Sequence, residues 1–314
     1  MHPKGKIAAL AAFALLLIAA FVFYKSGTNW DYVLPRRLVK IAAIALTGAA
    51  IAFATMVFQT ITNNRILTPS IIGLDSLYML IQTFIIFVFG SMSPMVINKS
   101  VNFFITVGLM MIFAALLYKV LFKEGRNLFF LLLVGIIFGT FFGSISTFLQ
   151  VLIDPNEFLI VQDRMFASFN NVNTDILALA FALTALTVLY AMRYAKYLDV
   201  LSLGRDHAIG LGVPYDRTVR RLLIVVAVLI AISTALVGPI TFLGLLVANV
   251  AHELFRTYRH SYLLTGSVLI SVIALVGGQF VVERVFTFST TLSVIINFIG
   301  GVYFLYLLLR ESKA

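Results

Sequence analysis

The sequence predicts an all-α polytopic membrane protein of about ten transmembrane helices, with both termini cytoplasmic. Three observations carry the prediction. First, 61% of the 314 residues are hydrophobic and 11% charged, with a mean hydropathy of +1.04; soluble domains run at about 45–50% and about 25%. Second, the apolar residues fall into ten charge-poor runs. Third, Lys and Arg divide unequally between the run ends. About 190 apolar residues suffice for nine or ten spans of about 20 residues each. Little remains for a separate catalytic domain, so the reading is one membrane domain over residues 1–314.

The first run, 7–24, follows Lys4 and Lys6. It exceeds the apolar core of a signal peptide, and Lys25, Trp30 and Asp31 follow it instead of a small-residue cleavage site, which favours a retained span. Further runs cover 38–60, 71–90, 101–122, 128–150, 174–194, 222–238, 240–255, 261–282 and 286–309. Each must be helical, because lipid offers no partner to a free backbone N–H or C=O and the alternation of a membrane barrel is absent.

Ten spans return the chain to its starting side. With the termini inside, sixteen Lys and Arg lie at cytoplasmic ends, Lys123, Arg126 and Lys313 among them. Seven lie outside: Lys25, Arg36, Arg37, Lys40, Lys99, Arg164 and Arg284. The excess sets the orientation. It also accounts for the net charge of +10 without nucleic acid.

Two interruptions exceed a simple connection. The outer one, 153–173, reads as a surface helix or loop around Asp154, Pro155, Glu157, Asp163 and Arg164. The inner one, 195–221, is rich in positive charge.

Several chemistries are missing from the sequence. No phosphate loop of the ATPase type is present, so the chain is not expected to hydrolyse ATP itself. Gly210 to Tyr215 begins like a dinucleotide fingerprint but lacks the third glycine and a preceding strand. His2, His207, His252 and His260 lack the spacing of a zinc site, and there is no cysteine, so no metal and no cofactor is expected on this chain. Asp75 is the one serious candidate for an ion-coupled carboxylate. It lies just after Gly73 at the start of its run, where a helix-N-terminal carboxylate is the plainer reading. A carrier driven by ions is therefore the alternative reading, and a non-transporting scaffold a third.

Four blocks, taken in order, carry a resemblance. The first is Leu34-Pro35-Arg36, Thr47-Gly48-Ala49-Ala50, Gln59-Thr60, Asn63 to Pro69 and Ile72-Gly73. The second is Leu203-Gly204, Ala208 and Leu211-Gly212-Val213. The third is Gly238 to Leu245, and the fourth Ile299 to Leu308. Together they resemble the iron-siderophore (FecCD-type) permeases of ABC importers, relatives of the vitamin B12 importer permease. Departures at Val33, Asn64 to Leu67, Asp75 to Tyr78 and Ala248-Asn249 mark a divergent branch.

The resemblance implies uptake of a ferric siderophore across a bacterial cytoplasmic membrane. It further implies a second permease subunit, identical or paralogous, two cytoplasmic ATPases that hold ATP and Mg, and an extracytoplasmic siderophore-binding protein. The coupling surface would be Leu203, Gly204, Arg205, Asp206, His207, Ala208, Ile209, Leu211 and Gly212. Gly204 to Leu211 would make about two helical turns, stopped by Gly212 and Pro214. Arg36, Arg37 and Arg284 would dock the binding protein, with snorkelling to lipid phosphate as the competing role. The wall would come from the fifth and tenth spans, where Ser144, Thr147, Gln150, Thr290, Ser293 and Asn297, with Ser146, Ser289 and Thr291, supply uncharged polarity. Hydrogen bonding between helices is the competing use of those groups.

Overall fold

The computed structural model describes residues 2–24, 29–121, 128–170, 172–288 and 290–311. Lys25, Lys123, Arg126, Ser289 and Lys313 lie outside them. The described residues form fourteen α-helices and no strand: α1 Pro3–Phe23, α2 Trp30–Thr62, α3 Leu74–Phe89, α4 Pro94–Ile97, α5 Lys99–Leu121, α6 Leu128–Leu152, α7 Pro155–Arg164, α8 Thr174–Met192, α9 Ala195–Leu201, α10 Arg205–Gly210, α11 Tyr215–Val237, α12 Leu243–Phe255, α13 His260–Arg284 and α14 Leu292–Glu311.

Every apolar run of the sequence coincides with a helix, but not every helix is long. Eight of the described helices are long and apolar enough to cross a membrane, whereas α3 has 16 residues and α12 has 13. At 1.5 Å per residue these two reach roughly 24 Å and 20 Å, short of a hydrocarbon core of about 30 Å. Both start late for a visible reason. Before α3 the chain makes a 3₁₀ turn, Pro69–Ile72, and enters the helix through Gly73 at φ +86°. Before α12 it leaves α11 at Gly238 with φ +101° and crosses Pro239 to Thr241 outside any helix before Phe242 caps α12. Such interrupted helices survive in a membrane where neighbouring groups satisfy the freed backbone. The starts of α3 and α12 meet where Thr241 Oγ1 donates to Asp75 Oδ2 at 3.4 Å.

α2 is the axis of the bundle. Nearly every residue from Ile41 to Thr62 is buried, against α13, α11 and α12, with α1 outside α13. Small residues permit this approach, since lipid supplies no hydrophobic drive between helices. A Cβ on Gly48 would sit 2.6 Å from Ser271 Oγ of α13, and one on Gly244 would collide with Thr55 of α2. The entry to α3 is less yielding, because a Cβ on Gly73 would lie 2.9 Å from backbone atoms, the Cα and N of Gly139 on α6. Gly277 and Gly301, which the sequence also marks as small, have open space around them.

Polar ties sort the helix ends into two layers. In one, Lys6 Nζ donates to Leu254 O at 2.6 Å and Asn63 Nδ2 to Leu201 O at 3.4 Å. In the other, Arg37 and Arg284 reach the end of α1, and Arg164 donates to Val96 O at 3.2 Å. The outer interruption contains α7, whose N-cap Asp154 accepts from the Asn156 N–H at 2.9 Å, a local stop-and-start signal. The inner interruption contains α9 and α10.

Candidate functional site

The α9–α10 segment is a small folded knob. α10 is shorter than the sequence suggests: Arg205–Gly210 is six residues, about 1.7 turns. Gly204 enters it at φ +97° and ψ 169°, a conformation essentially confined to glycine. Gly212 at φ +82° closes it, with the Val213 N–H returning to Ala208 O at 3.0 Å and the Gly212 N–H to Ile209 O at 2.9 Å. Leu203, Ile209 and Leu211 project from the knob, 48–65% exposed. Ala208, in contrast, is fully buried and anchors the knob to its support, as do Leu198 and Leu201 of α9. Arg205 pairs loosely with Asp216 at 3.9 Å and lies over the Tyr215 ring at 5.8 Å. Beside it, Arg221 Nη1 donates to the Tyr194 hydroxyl at 2.6 Å.

The three arginines expected at the outer face have different surroundings. Arg36 is exposed, its guanidinium 4.0 Å from the Tyr32 ring centre. Arg37 Nη1 instead donates to the carbonyl oxygens of Phe21, Val22 and Tyr24 at 2.9, 2.6 and 3.1 Å. These acceptors close the C-terminus of α1, where unsatisfied carbonyls attract a cation. Arg284 Nη2 adds a bond to Tyr24 O at 3.0 Å and packs over the Tyr24 ring. A cavity of about 870 Å³ lined by Arg36, Arg37, Lys40, Phe169, Asn170 and Glu283 opens beside the first two.

The polar residues of the two expected wall helices also separate. Ser144 and Thr147 lie on the exposed face of α6, the Ser144 hydroxyl returning to Thr140 O at 2.9 Å. Gln150 turns inward and donates to Ser146 Oγ at 3.0 Å and to Thr83 Oγ1 at 3.4 Å. Ser293 is buried and accepts the Ala167 N–H at 3.1 Å, and Asn297 accepts the Phe242 N–H at 3.3 Å. Those two brace the non-helical segments before α8 and α12. Thr290 is partly exposed just before α14.

Three pairings escaped the sequence because the partners lie far apart along it. Lys40 of α2 meets Glu283 of α13 at 2.5 Å. Arg164 donates to Gln82 Oε1 at 2.7 Å and to Asn102 Oδ1 at 3.1 Å. His260 joins Asp199 to Thr60, with its ring nitrogens 2.7 and 2.8 Å from the two side chains. The only hint of the last was a histidine at the start of an apolar run. No cluster of metal-ligating side chains occurs among the described residues.

Residues 7–310 match the FecCD transport family. The chain is 66% identical over 315 residues to the petrobactin import system permease protein YclO of Bacillus subtilis, covering the whole of both. It is 38% identical over 280 residues to the petrobactin import system permease protein FatC of Bacillus anthracis, covering 89% of this chain and 79% of that one. Among solved structures, a metal-chelate-type ABC transporter in an inward-facing conformation superposes with a TM-score of 0.86. That match has 22% identity and covers 98% of this chain and 99% of the other, a likeness of fold. The bundle, its interrupted helices and its sequence therefore place this polytopic membrane protein in the FecCD transport family.

Proposed function

We propose that the chain is the membrane-spanning subunit of a bacterial ABC importer for a ferric siderophore, with ferric petrobactin as substrate. The observation that carries the substrate is the 66% identity, end to end, with a petrobactin import permease. In this reading the chain crosses the plasma membrane ten times, the eight long helices together with α3 and α12, and both termini are cytoplasmic. It pairs with a second permease subunit and sits between two cytoplasmic ATPases, which carry ATP and Mg, and an extracytoplasmic binding protein.

Each end of the bundle has its own task. The knob formed by α9 and α10 is rigid, because two glycines fix its bends and Ala208 is buried beneath it, and its exposed leucine and isoleucine side chains suit an apolar groove on an ATPase. At the other end Arg36 is exposed and suits an acidic residue of a binding protein, while Arg37 holds α1 in place and Arg284 adds a bond to Tyr24 O. Ser144 and Thr147 give the exposed face of α6 weak, uncharged polarity. Such a wall lets a large chelate pass without holding it.

The reading is tested by purifying the complex in detergent with its partner subunits and measuring ATP hydrolysis with the binding protein and candidate ferric siderophores. Ferric petrobactin should stimulate hydrolysis more than a ferric hydroxamate does. Equal or absent stimulation would remove the substrate assignment.

A further inference from the structure

If the α9–α10 knob receives the movement of an ATPase, something must carry that movement into the bundle. α10 is seated by the buried Ala208, but its ion pair with α11, Arg205–Asp216 at 3.9 Å, is exposed and of a kind that contributes little. α9 is held differently. Asp199 Oδ1 accepts two hydrogen bonds from His260, one from the backbone N–H at 2.8 Å and one from ring Nδ1 at 2.7 Å. His260 is the first residue of α13 and is 4% exposed. Its other ring nitrogen, Nε2, lies 2.8 Å from the hydroxyl of Thr60 on α2, which is itself 2.8 Å from Met56 O. With Nδ1–H donating to the carboxylate, Nε2 is left as an acceptor for the Thr60 hydroxyl, whose one proton serves either Nε2 or Met56 O, so the ring is oriented from both sides.

One buried imidazole thus joins three helices: α9, which carries the knob, α13, and α2, the axis of the bundle. A second tie lies alongside, from Asn63 at the end of α2 to the carbonyl of Leu201 at the end of α9. We infer that His260, with Asp199 and Thr60, is a positioning residue for coupling: it makes displacement of the α9–α10 knob move α2 and α13 in step. This inference rests on the importer reading above. It assigns the histidine neither a ligand nor a chemical step. Because such contacts act through a shared geometry, loss of either end of the link has the same consequence.

The test uses the importer reassembled in liposomes with its second permease, ATPase and binding protein, and reads ferric petrobactin imported per ATP hydrolysed. His260→Ala and Asp199→Asn should each lower that ratio by about fivefold or more, the low end of ordinary coupling between sites. ATPase co-purification should be retained. The double variant should be no worse than the weaker single one. If His260→Ala fails to assemble, Thr60→Val supplies the same readout, since it cuts the link to α2 and leaves the Asp199–His260 bonds in place. An import-per-ATP ratio within about twofold of wild type, with only the yield of folded protein reduced, would overturn the inference and leave His260 a packing residue. Failure of the importer reading is distinguishable, because the wild-type assembly would then show no ATP-driven uptake at all.

Discussion

Lys40 and Glu283 meet at 2.5 Å between α2 and α13, with side chains only 16% and 10% exposed. Glu283 Oε1 also accepts from Gln279 Nε2 at 2.9 Å, and Gln279 donates in turn to Asn170 at 3.2 Å. The pair closes the layer of helix ends that also holds Arg37 and Arg284. Removing one partner leaves the other charge poorly solvated, at a cost of up to roughly 3–5 kcal/mol. Glu283→Gln and Lys40→Met should each lower thermal stability in detergent by several degrees, and the double variant should recover most of the loss. Singles as stable as wild type would show the pair to be incidental.

Arg36 and Arg37 are neighbours with opposite tasks. Arg37→Ala removes the donors to three carbonyls at the end of α1 and should lower stability by about 1–3 kcal/mol while the folded fraction binds the binding protein normally. Arg36→Glu should leave stability alone and weaken docking by about tenfold or more, or 1.4 kcal/mol. The weakening should grow at low salt, where the new repulsion is less screened. Titration of the binding protein against both variants at two ionic strengths reads the difference.

On the knob, Leu211→Asp is the cleaner probe of ATPase docking. Leu211 is 65% exposed, so the change does not disturb the fold, yet a carboxylate there would be buried unpaired in an ATPase groove. ATPase co-purification and uptake should both fall by about tenfold or more, the 1.4 kcal/mol step that a lost interface anchor readily exceeds. Gly204→Ala meets no atom within 4 Å but forces φ +97° on a residue with a Cβ, costing about 1–3 kcal/mol locally. Its effect should be a looser knob with partial loss of coupling.

Gly73→Ala should fail to fold or lose several kcal/mol. The left-handed backbone alone costs about 1–2 kcal/mol, and the new Cβ would press on the backbone of Gly139 at 2.9 Å. Gly143→Ala, one turn further along α6 with nothing within 4 Å, is the control and should express and purify like wild type.

The helices were legible because apolar runs bounded by charge have one solution in lipid, and the blocks around Gly204, Gly238 and Gly300 carried the family. The late starts of α3 and α12 were less legible. Hydropathy counts Ile71, Ile72, Ile240 and Phe242 as span residues, whereas their backbone is set by Gly73, Gly238 and Pro239. The role of Arg37 was hidden for a similar reason: it serves the end of a helix that precedes it by more than ten residues. Gln150, Ser293 and Asn297 looked like wall residues by composition, yet their partners on α3 and in the segments before α8 and α12 could be found only once those elements were packed together. His260 gave no sign of its partners, which lie 61 and 200 residues away.

Uptake into liposomes decides whether the chain moves a ferric siderophore by coupling to ATP hydrolysis. Liposomes containing the importer, loaded with ATP and supplied with binding protein and iron-55-labelled petrobactin, should accumulate label. They should do so without any proton or sodium gradient, and equally when Asp75→Asn replaces the carboxylate that Thr241 contacts at 3.4 Å. Accumulation that needs an ion gradient, persists without the ATPase and disappears with Asp75→Asn would instead make the chain an ion-coupled carrier.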